Sequence, residues 1–114
     1  METKKCQTFT ATIYVGRKDL QTGRDVNTIP FYSYLRECCD KRGLCVSVVD
    51  VEYIYTNGAE RGYAITLINY PRFPKLLQEI KDAAIALATD LRKIMRQRRV
   101  SVVCTDETIT IGEF

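Results

Sequence analysis

Leu76, Leu77, Ile80, Ala84, Leu87, Leu91 and Ile94 recur at i, i+3, i+4 spacing, which puts them on one face of a helix. Pro74 is preset for the first turn of that helix, and the pattern predicts a run to about Gln97. Such a helix spans roughly 35 Å at 1.5 Å per residue, long for a single small sheet to cover.

The strands are read from period-2 alternation. Phe9, Ala11, Ile13 and Val15 alternate with Thr8, Thr10, Thr12 and Tyr14 until Gly16, the pattern of a strand with one covered face. The connection from Arg17 to Ile29 is polar, with Asp19, Gly23, Asp25 and Asn27, and its length of about 13 residues marks it as either mobile or functional. Thr28 as N-cap and Pro30 near the first position open a helix carrying Phe31, Leu35 and Cys38/Cys39, which Gly43 closes. A second strand, Leu44 to Thr56, changes its apolar face midway: Leu44, Val46 and Val48 on one side, then Val49, Val51, Tyr53 and Tyr55 on the other. A bulge near Val49-Asp50 explains that change, and so does a second half covered by another subunit. A turn over residues 56–62, built around Asn57-Gly58, leads to a third strand from Tyr63 to Tyr70. After the long helix comes a fourth strand, Val100 to Cys104, extended by Thr108 to Ile111 beyond a break at Asp106.

The order β-α-β-β-α-β is the split βαβ, ferredoxin-like arrangement. It predicts one α+β domain over residues 1–114, an antiparallel sheet with two helices on one face, the second of them long. The other sheet face carries Tyr14, Val49, Val51, Tyr53, Tyr55 and Ile68. An apolar patch of that kind usually meets a partner, so a homo-oligomer, a dimer or a multiple of dimers, is expected.

Composition narrows the function. With 46% hydrophobic and 27% charged residues, six Gly and three Pro, the chain is not disordered. No apolar run approaches the ~18 residues of a membrane helix. The opening residues lack the apolar stretch of a signal peptide, so a cytosolic location is expected. There is no His, which removes the commonest general base and metal ligand. The five Cys lack zinc-ligand spacing and are expected as buried reduced thiols. Asp50 and Glu52 share a strand face and could do acid/base work or hold Mg²⁺, with solvated edge charges as the plainer reading. No Gly-rich phosphate loop is present, and neither cofactor, metal nor catalysis is expected.

Anion binding has better support. Arg92, Lys93, Arg96, Arg98 and Arg99 place five cations within eight residues, either as ordinary charge at a helix C-terminus or as a phosphate-binding cluster. The corner Asn69-Tyr70-Pro71-Arg72-Phe73-Pro74 combines an amide, two aromatic rings and a guanidinium on a stiff turn. Those groups suit a nucleotide-like ligand, although Phe73 could simply staple the turn to the helix.

Residues 10–16 (Thr-Ala-Thr-Ile-Tyr-Val-Gly), Gly43-Leu-Cys-Val46 leading into Tyr53-Ile-Tyr55 and Asn57-Gly58, Leu67-Ile-Asn-Tyr-Pro-Arg-Phe-Pro74 and Arg99-Val-Ser-Val-Val-Cys-Thr-Asp106 together resemble the phage anti-Thoeris signal sponges of the first type. The resemblance skips the loop from Arg17 to Ile29. It implies an oligomeric viral anti-defence protein in the host cytoplasm. Such a protein sequesters cyclic ADP-ribose isomers, and in some members the cyclic di- or trinucleotides of CBASS-type defence, without cleaving them. Phe73 would then stack on a base while Asn69, Arg72 and Arg99 contact ribose or phosphate, with Tyr70 and Arg98 beside them.

Two other readings stay open. One is an RNA-binding split βαβ module that stacks bases on Tyr14, Tyr53 and Tyr55, although no run resembles the RNP1 pattern and the mild net charge of +3 disfavours a nucleic-acid polymer. The other is a purely structural oligomer.

Overall fold

Every strand of the sheet pairs antiparallel with its neighbours, in the spatial order Val46–Tyr55 (β2), Gly58–Ile68 (β3), Thr10–Gly16 (β1), Arg99–Cys104 (β4) and Thr108–Gly112 (β5). The computed structural model describes all of residues 1–114, with β1 (Thr10–Gly16), α1 (Ile29–Arg42), β2 (Val46–Tyr55), β3 (Gly58–Ile68), α2 (Leu77–Ile94), β4 (Arg99–Cys104) and β5 (Thr108–Gly112). This is the split β-α-β-β-α-β order with one strand appended outside β4. No helix is long and apolar enough to cross a membrane.

The alternation in β1 creates the core. Ile13 pairs with Ile65 of β3 on one side and Val102 of β4 on the other, and all three are fully buried. Ala84, Leu87, Ala88 and Leu91 of α2, with Phe31 and Leu35 of α1, close over that row within one cluster. Burying an isoleucine fully is worth about 1.5–3 kcal/mol, so the central rung is a main source of stability. The opposite face leaves Tyr14, Val49, Tyr55 and Ile68 exposed, with Val51 and Tyr53 half-buried.

Several local expectations change. The β2–β3 ladder runs unbroken from Val46↔Leu67 to Tyr55↔Gly58, so no bulge explains the change of apolar face. Instead Val46 and Val48 face the helices, and the acidic Asp50 and Glu52 follow them on the same face. The turn after β2 is tight: Gly58 already pairs with Tyr55, and Asn57 takes the left-handed conformation (φ 62°) that such a turn needs. β3 therefore begins five residues before Tyr63. The segment Thr108–Gly112 does not extend β4 but folds back against it, with Val102 opposite Ile109.

The helix ends also differ. Thr28 makes no side-chain cap; the Asn27 side chain accepts the Ile29 amide at 3.0 Å instead. Pro74 lies before α2, and Leu76 is exposed at its N-cap, where its amide donates to the Glu79 carboxylate at 3.2 Å. At the other end Gly43 closes α1 in the left-handed conformation as expected (φ 63°). α2 stops at Ile94 rather than Gln97, because the Arg96 and Gln97 amides turn back onto the Lys93 and Arg92 carbonyls. Of the cysteines only Cys104 is buried; Cys6, Cys38 and Cys39 are half-buried and Cys45 is exposed.

Candidate functional site

The Asn69–Pro74 corner follows β3 at the end of the sheet where Thr10 pairs with Ile68. Asn69 is buried and both ends of its amide are engaged: it donates to the Gln7 carbonyl at 2.8 Å and accepts the Lys75 amide at 2.8 Å. These bonds hold the corner together, which gives the amide a structural role. Phe73 is half exposed, with the Tyr70 ring 6.0 Å away and the Arg72 guanidinium 5.9 Å from its own ring centre. The hydrophobic crevice beneath Tyr70 and Phe73, lined by Leu44, Leu67 and Ile80, holds only about 20 Å³, too little for a base.

Arg98 and Arg99 stand at the opposite end. They follow α2, whereas Phe73 precedes it, and 18 helical residues separate the two positions by about 27 Å. Arg99 donates to the Glu113 carbonyl at 2.6 Å, and its guanidinium lies 5.3 Å from the centre of the Phe114 ring. The six expected ligand residues, Asn69, Tyr70, Arg72, Phe73, Arg98 and Arg99, therefore split into two groups, and one small ligand cannot span both within a single chain.

The loop after β1 is ordered, because Lys18 bridges Asp25 and the Val26 amide donates to the Arg17 carbonyl at 2.7 Å. This small hairpin carries Arg17 toward the inner face of β2. There the structure forms two hollows along β2 that sequence spacing only partly indicated. The apolar one lies between α1 and β2, is lined by Tyr32, Leu35, Cys39, Val46 and Val48, and holds about 380 Å³. Further along β2 a second hollow of about 380 Å³ is lined by Arg17, Asp50, Val51, Glu52, Arg61 and Gly62.

Strand pairing dictates the charge pattern of the second hollow. Asp50 stands opposite Tyr63 and Glu52 opposite Arg61, so carboxylate, phenol and guanidinium share one face. Tyr63 is the hinge of the arrangement: it is buried, stacks on Phe31 at 4.3 Å between ring centres, and meets Tyr32 edge-on at 6.0 Å. The Arg17 guanidinium sits 5.5 Å from the Tyr63 ring centre, and its buried Nε has no hydrogen-bond partner. Burial raises the Tyr63 phenol above its ordinary pKa, partly opposed by Arg17, so it is neutral at physiological pH. Neither Asp50 nor Glu52 is committed to an ion pair. An apolar, aromatic-edged hollow and a separate charged one thus lie along β2, the second holding carboxylates and guanidiniums outside any ion pair.

Of these residues only Asp50 and Glu52 stood out in the sequence. Arg17, Tyr32 and the pair Arg61 and Tyr63 come from three separate segments, and only the β2–β3 register, legible from Asn57-Gly58, could have linked Glu52 to Arg61.

No protein-family model and no curated protein sequence matches this chain. Among solved structures, a phage SAM lyase in complex with S-methyl-5′-thioadenosine matches with a TM-score of 0.73 at 16% identity, covering 99% of this chain and 95% of its own. A phage SAM lyase in the apo state matches with a TM-score of 0.69 at 17% identity, covering 92% of this chain and 89% of its own. The expectation that this chain is not an enzyme is thereby corrected, because its fold is one on which lyases are built. The resemblance to anti-Thoeris sponges is corrected as well: the chain has a fold found in phage proteins, and that fold is the one seen in SAM lyases.

Proposed function

We propose that this chain is a phage counter-defence enzyme that binds S-adenosylmethionine in the hollows along β2 and releases S-methyl-5′-thioadenosine. The observation carrying the proposal is the end-to-end likeness to a lyase fold that holds that thioether nucleoside. Cyclic-nucleotide sequestration, expected from sequence, loses support because Phe73 and Arg99, its base-stacking residue and one of its phosphate contacts, lie at opposite ends of α2.

The chemistry suits a chain without His. A sulfonium leaves as a neutral thioether, so no general acid is required. The substrate's own carboxylate oxygen attacks its γ-carbon; the O–C bond forms as the C–S bond breaks, and the electron pair goes to sulfur. The products are S-methyl-5′-thioadenosine and a four-carbon lactone, with no water consumed and no proton transferred. Two opposite charges are neutralised along this path, so what the site must supply is the positioning of the two reacting groups. Tyr32, Val46 and Val48 are assigned to the adenine, and Asp50 and Glu52 to the sulfonium and ammonium charges. Arg17 orients the carboxylate near the γ-carbon.

The test is to incubate the purified chain with S-adenosylmethionine and follow both substrate and thioether by chromatography. Multiple turnovers to S-methyl-5′-thioadenosine are expected. An unchanged substrate pool, together with no calorimetric binding of the thioether nucleoside, would defeat the proposal. Capture of intact cyclic ADP-ribose isomers in the same assay would return the sequestering reading in its place.

A further inference from the structure

The cationic end of α2 takes no part in the hollows along β2. It lines a separate cavity of about 390 Å³, where Arg92, Arg96, Gln97 and Arg98 face Asp19 and Glu113. Ordinary capping does not account for these guanidiniums. The last carbonyls of α2, on Leu91, Arg92 and Lys93, are already answered by the amides of Met95, Gln97 and Arg96.

Two of the three arginines are held in place, each by a different contact. One Arg92 nitrogen donates to the Gln97 and Arg98 carbonyls at 3.4 and 3.3 Å, while its buried Nε has no partner. Arg96 adopts a left-handed backbone (φ 53°), a conformation glycine normally supplies at this position, and its side chain reaches Asp19. Arg98 has no acid partner at all, and Glu113 stands in the same lining without an ion pair. Three guanidiniums face two carboxylates, of which only Asp19 is ion-paired, so the lining keeps a net positive charge that favours an anion. Its only apolar lining residue is Leu20, which leaves nothing for a nucleobase to stack on.

We propose that this cavity binds the phosphate group of a small phosphorylated sugar, with Arg98 and Arg92 as the recognising forks and Arg96 as the clamp that holds the cavity wall. The site is independent of the lyase reading, and its test does not depend on turnover.

The experiment is calorimetric titration of the whole chain with ribose 5-phosphate and, separately, with inorganic phosphate, at constant ionic strength. Ribose 5-phosphate is expected to bind saturably, one per chain, and more tightly than inorganic phosphate. Arg98→Gln should weaken it tenfold or more with an unchanged melting temperature, the loss typical of a charge-assisted bond. Glu113→Gln should tighten it by removing a competing negative charge. Arg72→Gln, at the far end of α2, should leave it unchanged. Absence of saturable binding overturns the proposal, as does equal weakening by Arg98→Gln and Arg72→Gln. Equal affinity for inorganic phosphate overturns the sugar assignment. Affinity for single-stranded RNA that grows with length, with none for ribose 5-phosphate, places a polymer there instead.

Discussion

The Arg96 guanidinium lies 3.1 Å from the Asp19 carboxylate, joining the end of α2 to the loop after β1 across 77 residues of sequence. Asp19 is buried, and its other oxygen accepts the Gln21 amide at 2.8 Å, so one side chain both shapes the loop and anchors it. The long polar connection is therefore a fastened hairpin, and the arginine that fastens it sits in a backbone conformation suited to glycine.

These two demands on position 96 can be separated by mutation. Arg96→Ala loses the ion pair and keeps the left-handed backbone of a residue with a Cβ. Arg96→Gly loses the same pair and relieves that conformation, a difference of about 1 kcal/mol. Denaturant unfolding should therefore rank Arg96→Gly above Arg96→Ala in stability. In both, hydrogen exchange at Gln21 and Gly23 should quicken. The reverse ranking would show that the backbone at 96 carries no strain.

Asp50→Asn and Arg17→Gln test the charged hollow. Each should lower the rate of S-methyl-5′-thioadenosine formation tenfold or more, since a lost charge-assisted contact is worth about 1.5–3 kcal/mol. Asp50→Asn should hardly move the melting temperature, because Asp50 is exposed and carries no ion pair, whereas Arg17→Gln also loses the contact with the Tyr63 ring and should lower it. Phe73→Ala, on the corner the sequence favoured, should leave the rate intact.

Gly62→Ala should destabilise the fold by about 1–3 kcal/mol. A Cβ there would run into the Val15 carbonyl and the ring of Tyr53, which lies across the glycine while its hydroxyl donates to the Tyr63 carbonyl at 3.0 Å. Val15 is backbone and cannot move aside. A Tyr53→Ala, Gly62→Ala double variant should therefore recover only part of the loss in thermal unfolding.

Acid should weaken one particular tie. Lys81, nearly buried on α2, contacts Asp106 at 2.8 Å and Glu107 at 3.4 Å. Its hydrogen bond pulls the Asp106 carboxyl below the ordinary 3.8. A carboxyl whose folded pKa is depressed stabilises the fold above its unfolded value and loses that contribution as pH falls through the folded one. Melting temperature should therefore decline below about pH 3.8, and Asp106→Asn should flatten that decline. Lys81, held above 10.5, has the opposite sign: its contribution is complete below that value and fades in stronger alkali.

Legibility followed the range of the interactions. β1 was readable because a one-sided strand alternates, and the hairpin because Asn57-Gly58 fits only a tight turn. The change of apolar face in β2 was visible, but its cause was not: the ladder continues regularly while the helical layer ends, so Asp50 and Glu52 replace valines where cover runs out. The corner at Asn69 looked like a site because its amide, rings and guanidinium are adjacent in sequence. Its amide is in fact spent on Gln7 and Lys75, contacts that local spacing does not reveal. Arg17 and Tyr63 were overlooked for the opposite reason, since their proximity arises only when β1 and β3 pair.

The central place of β1 also governs when the chain can fold. Its residues pair with β3 and with β4, so that Tyr14 meets both Ala64 and Ser101. During synthesis the strand that sits mid-sheet is made before β3 and β4, and it must wait for Arg99–Cys104 before it gains its second neighbour. Until then an alternating, threonine-rich edge stands open to other chains, and closing it requires bringing together segments far apart in sequence, a slow step. Synthesis order makes β1 the first strand present and one of the last completed, so truncation before Arg99 leaves one side of it unpaired.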